Sequence, residues 1–363
     1  MMKENNYVVI MAGGIGSRFW PFSRTNKPKQ FHDVLGTGKT LLQHTYERFK
    51  NDFLEENIYI ITNQLYEGLV KEQIPSIKKD QILLEPIGRN TASCIAHACY
   101  KIGQKNENAT VVTAPSDHVI FKEKLFLEKI AIGIEACQQH KEEILITLGI
   151  EPSRPDTGYG YIQYIDSKIK NLKKVKTFTE KPQLELAKTF IESGDFLWNS
   201  GIFIWNVKSI KKAFEDYLPE IAEIFEEGKN AFYTSEEENF ISHAYTLCKN
   251  ISIDYGILEK SENVYVIKGD FDWTDLGTWK SVYDSSEKDE KGNIIEGNIM
   301  AYEVQNSIIK FPSDKLVVVQ GMQEYIIVEY DDVLLICRKD QEQRIREFVN
   351  DIKNKKDINP KYI

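Results

Sequence analysis

This sequence predicts an α/β protein with a doubly wound, mostly parallel sheet, followed by a small all-β domain at the carboxyl end. Short apolar runs alternate with helical stretches through the first two thirds of the chain, which is typical of a sheet covered by helices. After a charged segment at 284–291, repeated short apolar pieces indicate further strands. At 363 residues the chain is long enough for two domains. We therefore expect a domain at 1–284 and a second one at 285–363.

The elements of the first domain follow from this alternation. Apolar runs predict strands at 7–10, 58–61, 109–113 and 144–148. The stretches between them predict helices at 40–50, 64–73, 91–104 and 126–140. In an open parallel sheet, ligands bind beyond the carboxyl ends of the strands. A glycine-rich turn follows the first strand and Asp117 follows the third, so we expect both near the ligand crevice.

The remaining elements differ in character. Residues 158–205 are strand-like and punctuated by glycine and proline, whereas residues 208–249 are acidic and helical in pattern. In the second domain, apolar pieces predict strands at 293–301, 307–311, 316–320, 325–329 and 333–337. A helix at 341–352 is expected to close that domain.

Composition excludes several classes of function. A net charge of -9 argues against non-specific binding of nucleic acid, which needs a broad basic surface. The five cysteines are odd in number and form no C-x-x-C motif, so reduced thiols are expected rather than disulfides or a zinc knuckle. The polar amino-terminal segment and the short apolar run after it predict neither a membrane span nor export. We expect a cytoplasmic protein.

The glycine-rich turn is the most informative stretch of the chain. Gly13, Gly14 and Gly16 allow a sharp turn with unhindered N–H groups, and residues 18–29 carry four cations and no carboxylate. A dinucleotide fingerprint does not fit, because Phe19 stands where its third glycine belongs. A P-loop ending at 38–40 fails as well, because Asp33 replaces its first glycine. The stretch predicts a binding site for polyphosphate.

The whole pattern, G-G-x-G-x-R-x-x-P with K-P-K six residues later, resembles the sugar nucleotidyltransferases, or sugar-nucleotide pyrophosphorylases. The variants FWP at 19–21 and KPKQF at 27–31 resemble the mannose-1-phosphate guanylyltransferases among them. Further blocks similar to that family follow in the expected order: EPIGRNTA at 85–92, PSDH at 115–118, TGYGYI at 157–162, EKP at 180–182, WNSG at 198–201, SIDY at 252–255 and WTDLG at 273–277.

The resemblance implies a Rossmann-like nucleotidyltransferase domain and a short left-handed β-helix after it. It also implies a reaction in which GTP and mannose 1-phosphate give GDP-mannose and pyrophosphate with the help of Mg²⁺. The attacking group is an oxygen of the sugar phosphate. The second pKa of such a phosphate group is about 6, so the group is largely ionised at neutral pH. No activated serine, cysteine or histidine is required, which agrees with the absence of an obvious triad.

Positions that match the motifs of this family imply roles for the charged residues. Arg18 and Lys29, together with the amides of the turn from Gly13 to Ser17, are expected to hold the β- and γ-phosphates and stabilise the leaving group. Asp117 and Asp275 match the metal aspartates of the family. Mg²⁺ is typically held by one or two carboxylates plus substrate phosphates. These two aspartates are far apart in sequence, so the assignment requires a fold that brings them together.

Other matching positions are assigned to the sugar phosphate. Lys181 is expected to pair with its phosphate, and Gly160, Glu180 and Asn199 with sugar hydroxyls. Asp254 either contacts sugar hydroxyls or merely holds a loop.

For guanine, Glu85 or a nearby main-chain carbonyl is expected to accept from the N1–H and N2–H₂ donors, with Arg89 and Asn90 nearby. Asn90 and Thr91 have a second interpretation, because they could cap the helix that follows.

Two alternatives stay open at this point. One is the same chemistry on another hexose or heptose 1-phosphate. The other is a catalytically silent subunit that senses a sugar nucleotide, although a sensor does not need all four of the charged residues Arg18, Lys29, Asp117 and Asp275. A homodimer is a further hypothesis, since β-type domains of this kind often mediate self-association.

Overall fold

The computed structural model describes residues 3–140, 144–355 and 358–363. Met1 and Met2, part of the polar amino-terminal segment considered above, lie outside the described residues. The strands are β1 (Asn6–Met11), β2 (Ile58–Asn63), β3 (Ile82–Glu85), β4 (Thr110–Pro115), β5 (Val119–Ile120), β6 (Leu145–Ile150), β7 (Gly160–Ile165), β8 (Lys173–Glu180), β9 (Phe196–Asn206), β10 (Val264–Gly269), β11 (Trp273–Thr274), β12 (Ile294–Glu296), β13 (Asn298–Tyr302), β14 (Ile308–Lys310), β15 (Leu316–Gln320), β16 (Tyr325–Tyr330) and β17 (Val333–Arg338).

The α-helices are α1 (Leu41–Lys50), α2 (Glu67–Gln73), α3 (Asn90–Lys105), α4 (Glu123–Gln139), α5 (Leu184–Ser193), α6 (Val207–Tyr217), α7 (Pro219–Glu227), α8 (Glu237–Leu247), α9 (Trp279–Ser285) and α10 (Ile345–Asn354). Short 3₁₀ helices at Ser17–Phe19 and Lys339–Arg344 and a π-helical turn at Asp254–Leu258 also matter for the site. None of the described helices combines the length and apolar character that crossing a membrane requires.

The chain forms two compact units. The first unit comprises Met1–Gly13, Gln43–Ser116 and Ile120–Trp273, and the second comprises Gly14–Leu42, Asp117–Val119 and Thr274–Ile363. Residues 14–42 and 117–119 thus cluster with the last 90 residues of the chain. The division into domains at residue 284 stays a prediction, and the compact units interleave along the sequence.

A nine-stranded sheet forms the centre of the first unit, with the order β3-β2-β1-β4-β9-β6-β10-β8-β7. Strands β3, β2, β1 and β4 run parallel to one another, and β6 pairs in parallel with β10. Strand β9 is antiparallel to both β4 and β6, between which it lies. The predicted α/β class with a parallel sheet is confirmed, with β9 and the β7–β8 pair adding antiparallel neighbours.

The core of the first unit explains why its central strands read as continuous apolar runs. All residues of β1 except the last are buried, because helices cover both faces of a parallel sheet. Helices α3, α6, α7 and α8 contribute to the same core, which includes Val9, Ile61, Val111, Trp205 and Tyr245. Helices α6 to α8 account for the acidic helical pattern predicted at 208–249.

Strands of the second unit stack in parallel, as the expected β-helix requires. Ile294 of β12 lies beside Ile308 of β14, which lies beside Ile326 of β16. Strands β13 and β15 form a second parallel pair, and β17 ends the larger sheet in antiparallel fashion. The core of this unit unites residues from both ends of the sequence, including Phe19, Trp20, Ile326 and Ile345.

Candidate active site

From Gly14 onward the glycine-rich turn belongs to the second unit, where it leads into a 3₁₀ helix that carries Arg18. Gly16 has a left-handed backbone with φ of 68°, and a β-carbon there would lie 3.2 Å from Cβ of Lys29. The N–H of Phe19 donates to the carbonyl of Gly16 at 2.9 Å and closes the turn. Gly14 is exposed with open space beside it, whereas Ser17 and Arg18 are half-buried. The turn therefore leaves room for a ligand beside its amides.

Lys29 lies at the centre of the charged part of the second unit. Its side chain is only 3% exposed, and its Nζ contacts Oδ2 of Asp117 at 2.8 Å. The same ammonium group donates to the main-chain carbonyls of Asp275 at 2.7 Å and Leu276 at 3.1 Å. An ammonium group has three hydrogens, and these three oxygens take them all. A direct bond from Lys29 to a phosphate requires the release of one of these partners.

Asp275 lies in a tight loop between β11 and α9. Its Oδ1 accepts a hydrogen bond from the N–H of Gly277 at 2.9 Å, which orients the carboxylate. A β-carbon on Gly277 would lie 2.5 Å from Oδ2 of Asp275, so glycine is needed for this arrangement. Leu276 adopts a positive φ of 40°, which turns its carbonyl and that of Asp275 toward Lys29.

The fold thus brings together the two aspartates that were predicted as metal ligands. Lys29 bonds the carboxylate of Asp117 and the backbone at Asp275, so both belong to one cluster. Burial raises the pKa of Asp117, but the charges of Lys29 and His118 together with hydrogen bonds to the carboxylate outweigh this and bring the pKa below its ordinary value. Asp117 is therefore ionised at neutral pH. Two carboxylates are the kind of donor set that fits Mg²⁺.

Glu85 occupies a buried position in the first unit, directly beside the start of the glycine-rich turn. It is 6% exposed, and a β-carbon on Gly13 would lie 2.9 Å from its Oε2. The hydroxyl of Tyr245 donates to Oε1 at 3.2 Å. Burial raises the pKa of Glu85 to about 7, although the Tyr245 hydrogen bond acts in the opposite direction. Its Oε2 therefore lies directly beside the backbone of Gly13.

The other residues predicted for the nucleotide surround the start of α3. Arg89 donates from Nε to the carbonyl of Tyr245 at 2.9 Å. Asn90 has a positive φ of 66°, and its side chain accepts from the N–H of Thr91 at 2.9 Å. The hydroxyl of Thr91 accepts from the N–H of Ile253 at 2.9 Å. Thr91 therefore connects the helix to the segment before Asp254. Neither of the two interpretations of this residue, contact with guanine or capping of the helix, predicted this connection.

Glu180 and Gly160 face each other across strands β7 and β8 of the first unit. A β-carbon on Gly160 would lie 2.4 Å from Oε2 of Glu180, so glycine leaves the space that this carboxylate needs. The Glu180 side chain is only 7% exposed and pairs with the ammonium group of Lys181, which is 56% exposed. Lys181 has a positive φ of 48°, and its N–H donates to the carbonyl of Tyr159 at 3.1 Å.

Asn199 and Asp254 complete this cluster. Nδ2 of Asn199 donates to Oδ1 of Asp254 at 2.9 Å, and Oδ1 of Asn199 accepts from the Thr147 hydroxyl at 2.9 Å. Burial raises the pKa of Asp254 to about 7, and the negative charge of Glu180 raises it further. The five residues predicted for the sugar phosphate thus lie in one cluster, in which a lysine stands beside two buried carboxylates.

Two supporting residues were not predicted from the sequence. Tyr245 holds Glu85, and Thr147 fixes which way the amide of Asn199 points. Thr147 lies on a predicted strand, where an isolated polar residue in an apolar run was the available signal. Tyr245 lies on α8 among many acidic and aromatic residues, and nothing in its local pattern distinguishes it.

Comparison with known proteins finds similar sequences along most of the chain. Residues 7–292 match the family model described as Nucleotidyl transferase, and residues 297–352 match that of the MannoseP isomerase/GMP-like beta-helix domain. A mannose-1-phosphate guanylyltransferase of Escherichia coli is 35% identical over 350 residues, which cover 94% of this chain and 74% of the relative. The alginate biosynthesis protein AlgA of Pseudomonas aeruginosa is 32% identical, with 95% of this chain and 71% of the relative covered.

A solved structure is similar over almost the same extent. The crystal structure of a mannose-1-phosphate geranyltransferase, as it is named, from Thermus thermophilus superposes with a TM-score of 0.86. The two sequences are 28% identical, and the match covers 96% of this chain and 99% of that one. The likeness therefore extends through both compact units.

Proposed function

The chain belongs to the nucleotidyl transferase family, and we propose that within this family it transfers GMP from GTP to α-D-mannose 1-phosphate. The products are GDP-mannose and pyrophosphate. The observation that carries this proposal is the cluster of Lys29, Asp117 and Asp275, in which one buried ammonium group bonds the carboxylate of Asp117 and the main-chain carbonyl of Asp275. Similarity to guanylyltransferases along 94% of the chain supports the choice of substrates.

The reaction is an in-line displacement at the α-phosphorus of GTP. An oxygen of the sugar phosphate forms a bond to this phosphorus while the bond to the bridging oxygen of the β-phosphate breaks, and pyrophosphate leaves with that electron pair. The nucleophile is ionised at neutral pH, so no side chain has to remove a proton. What the protein supplies is position and positive charge.

Arg18 and the amides of Gly13, Gly14, Gly16 and Ser17 hold the β- and γ-phosphates in this proposal. Lys29 adds a buried positive charge and keeps Asp117 and the Asp275 loop together. Mg²⁺ bound by Asp117 and Asp275 would neutralise charge that develops on the phosphates.

Guanine is read by Glu85, whose Oε2 accepts from the N1–H and N2–H₂ donors, with Arg89, Asn90 and Thr91 ordering the same edge. The sugar phosphate is bound by Lys181, while Glu180, Asn199 and Asp254 meet hydroxyl groups beside Gly160. Hydroxyl recognition by buried acids and amides gives sharp discrimination, because a missing hydroxyl leaves a buried polar group unpaired.

A panel of four nucleoside triphosphates against four sugar 1-phosphates tests the proposal. We expect pyrophosphate release and a GDP-sugar product to be fastest with GTP and mannose 1-phosphate. Faster turnover with another hexose or heptose 1-phosphate would reassign the substrate. If no pair gives pyrophosphate in the presence of Mg²⁺, the proposed activity is wrong.

The same proposal includes the location of the protein, which is the cytoplasm. The five cysteines are buried free thiols, as expected for a reducing compartment. Self-association as a homodimer also remains a prediction, which light scattering of the purified protein tests.

A further inference from the structure

The carboxyl-terminal helix α10 packs against the 3₁₀ helix that carries Arg18, within the second unit. Phe19 and Trp20 belong to the same buried cluster as Ile345 and Val349 of α10. The ring of Phe19 stacks on that of Trp279 at 4.4 Å, with the two planes 15° apart. The position of Arg18 therefore depends on residues more than 250 positions further along the chain.

Two further charged groups of this carboxyl-terminal segment are close enough to Arg18 to interact with it electrostatically. Partial loss of hydration lowers the pKa of Arg346 on α10, and the positive charge of Arg18 lowers it further. Burial raises the pKa of Glu342, while the charge of Arg18 acts in the opposite direction. The exposed Arg346 thus forms a cluster with Arg18 and Glu342, because α10 packs against both of the 3₁₀ helices that carry these two residues.

Glu342 already has a structural partner in this cluster. Its Oε2 accepts a hydrogen bond from the N–H of Lys280 at 2.6 Å, in the first turn of α9. Among the described residues, no carboxylate lies within 4.0 Å of the guanidinium groups of Arg18 or Arg346. Two neighbouring guanidinium groups repel one another, and an anion bound between them removes that repulsion.

We propose that Arg346 binds the pyrophosphate portion of the substrate together with Arg18, so that the carboxyl-terminal helix contributes directly to the leaving-group site. The inference rests on the proposed function, because that function assigns Arg18 to the β- and γ-phosphates. Guanidinium groups suit this role, since they bind phosphate oxygens in a bidentate manner. Glu342 acts as a positioning residue that fastens the 3₁₀ helix Lys339–Arg344 to α9.

Substitution of Arg346 by glutamine provides the test, with Arg344→Gln as the matched control. Arg344 lies two residues earlier, is 54% exposed, and pairs with Glu347 at 2.9 Å. The probe is inorganic pyrophosphate, used as substrate of the reverse reaction with GDP-mannose. We expect R346Q to raise the KM for pyrophosphate and for GTP about tenfold and to leave the KM for mannose 1-phosphate unchanged. R344Q should behave as the wild type.

A KM for pyrophosphate within twofold of the wild-type value in R346Q would overturn the inference, as would equal losses in R346Q and R344Q. Arg346→Lys retains charge and stem, and we expect it to recover part of the affinity for pyrophosphate. If R346Q unfolds at a lower temperature, this lysine variant decides the matter by the same measurement. A wild-type protein without turnover contradicts the proposed function instead, and calorimetric binding of pyrophosphate to the two glutamine variants then still tests Arg346.

Discussion

Asp117 combines two roles at the scale of a single residue, since it neutralises a buried lysine and is a proposed metal ligand. Asp117→Asn should lower kcat about a hundredfold or more, because an amide is a poor ligand for Mg²⁺. It should also lower the free energy of unfolding by about 2 kcal/mol, because Lys29 loses its charged acceptor while keeping two carbonyls.

Chemical denaturation and steady-state kinetics measure both effects. The exposed Asp314→Asn in the second unit serves as control and should change neither. Retention of full turnover by Asp117→Asn would remove this residue from the metal site.

Glu85 links guanine recognition to pH. Its folded-state pKa of about 7 exceeds the ordinary 4.5, so folding favours the protonated form. The free energy of unfolding should therefore fall as the pH rises from 4.5 through 7, by about 3 kcal/mol in total. Glu85→Gln removes this loss, and we expect the variant to be more stable than the wild type at about pH 8 and equally stable near pH 4.5.

The same ionisation should govern substrate binding, since the charged carboxylate is the better acceptor for guanine. The KM for GTP of the wild type is expected to fall between about pH 6 and pH 8, and that of Glu85→Gln should be higher and independent of pH. The exposed Glu107→Gln is the control for a simple change of charge. Parallel pH profiles of unfolding for wild type and Glu85→Gln would contradict the assignment.

At this scale, the sequence indicates which residues belong to the candidate site but not which atoms they contact. Asp117 and Asp275 could be singled out because both match the metal aspartates of the family that the sequence resembles, and Asp117 also follows an apolar strand. The partners of Lys29 could not, because two of them are main-chain carbonyls whose direction depends on the positive φ of Leu276. The Tyr245 hydrogen bond to Glu85 joins residues 160 positions apart and has no local signal either.

At the scale of elements, the β7–β8 pair positions the proposed sugar site. Gly160→Ala would place a methyl group 2.4 Å from Oε2 of Glu180 and should displace that carboxylate. We expect the KM for mannose 1-phosphate to rise about tenfold, with little change in the KM for GTP. Initial rates at varied concentrations of each substrate separate the two constants.

Gly68→Ala is the matched control for this change. Gly68 lies on α2 with no atom near its would-be β-carbon, and alanine favours helix there. Equal effects of Gly160→Ala on both substrates would argue against a separate sugar site beside Glu180.

Elements with strong periodicity were the ones that could be predicted well from the sequence. Strands β1, β2, β4 and β6 were each predicted within two residues of their observed ends. Strand β3 was not predicted, because its four residues are too few for a clear pattern. The antiparallel direction of β9 was not predicted, since strand direction depends on the connections around it and not on its own residues.

At the scale of the whole molecule, residues near the amino terminus belong to the same compact unit as the end of the chain, so removal of that end affects both. Arg24 is buried, and it donates to Oδ1 of Asp332 at 3.2 Å and to the carbonyls of Tyr330 and Lys361 at 2.7 and 3.2 Å. Phe19 and Trp20 share a core with residues of the carboxyl-terminal strands and helix. No linear pattern in the sequence predicts this, because it joins residues more than 300 positions apart.

A fragment containing residues 1–284 should therefore lose the ordered structure around Arg18, Phe19 and Trp20, although the predicted domain boundary falls at its end and the core of the first unit lies within it. Removal of residues 285–363 exposes the core around Phe19 and Trp20 and takes these three acceptors away from the buried Arg24, which costs several kcal/mol. Near-ultraviolet circular dichroism and thermal unfolding of the purified fragment measure this, with the full chain as reference. We expect loss of the near-ultraviolet signal from Trp20 and Trp279, which share the opened core, and no pyrophosphate release. A fragment that keeps this signal and retains turnover would show instead that the glycine-rich turn and Arg18 are held in place without residues 285–363, and it would weaken the role assigned to Arg346.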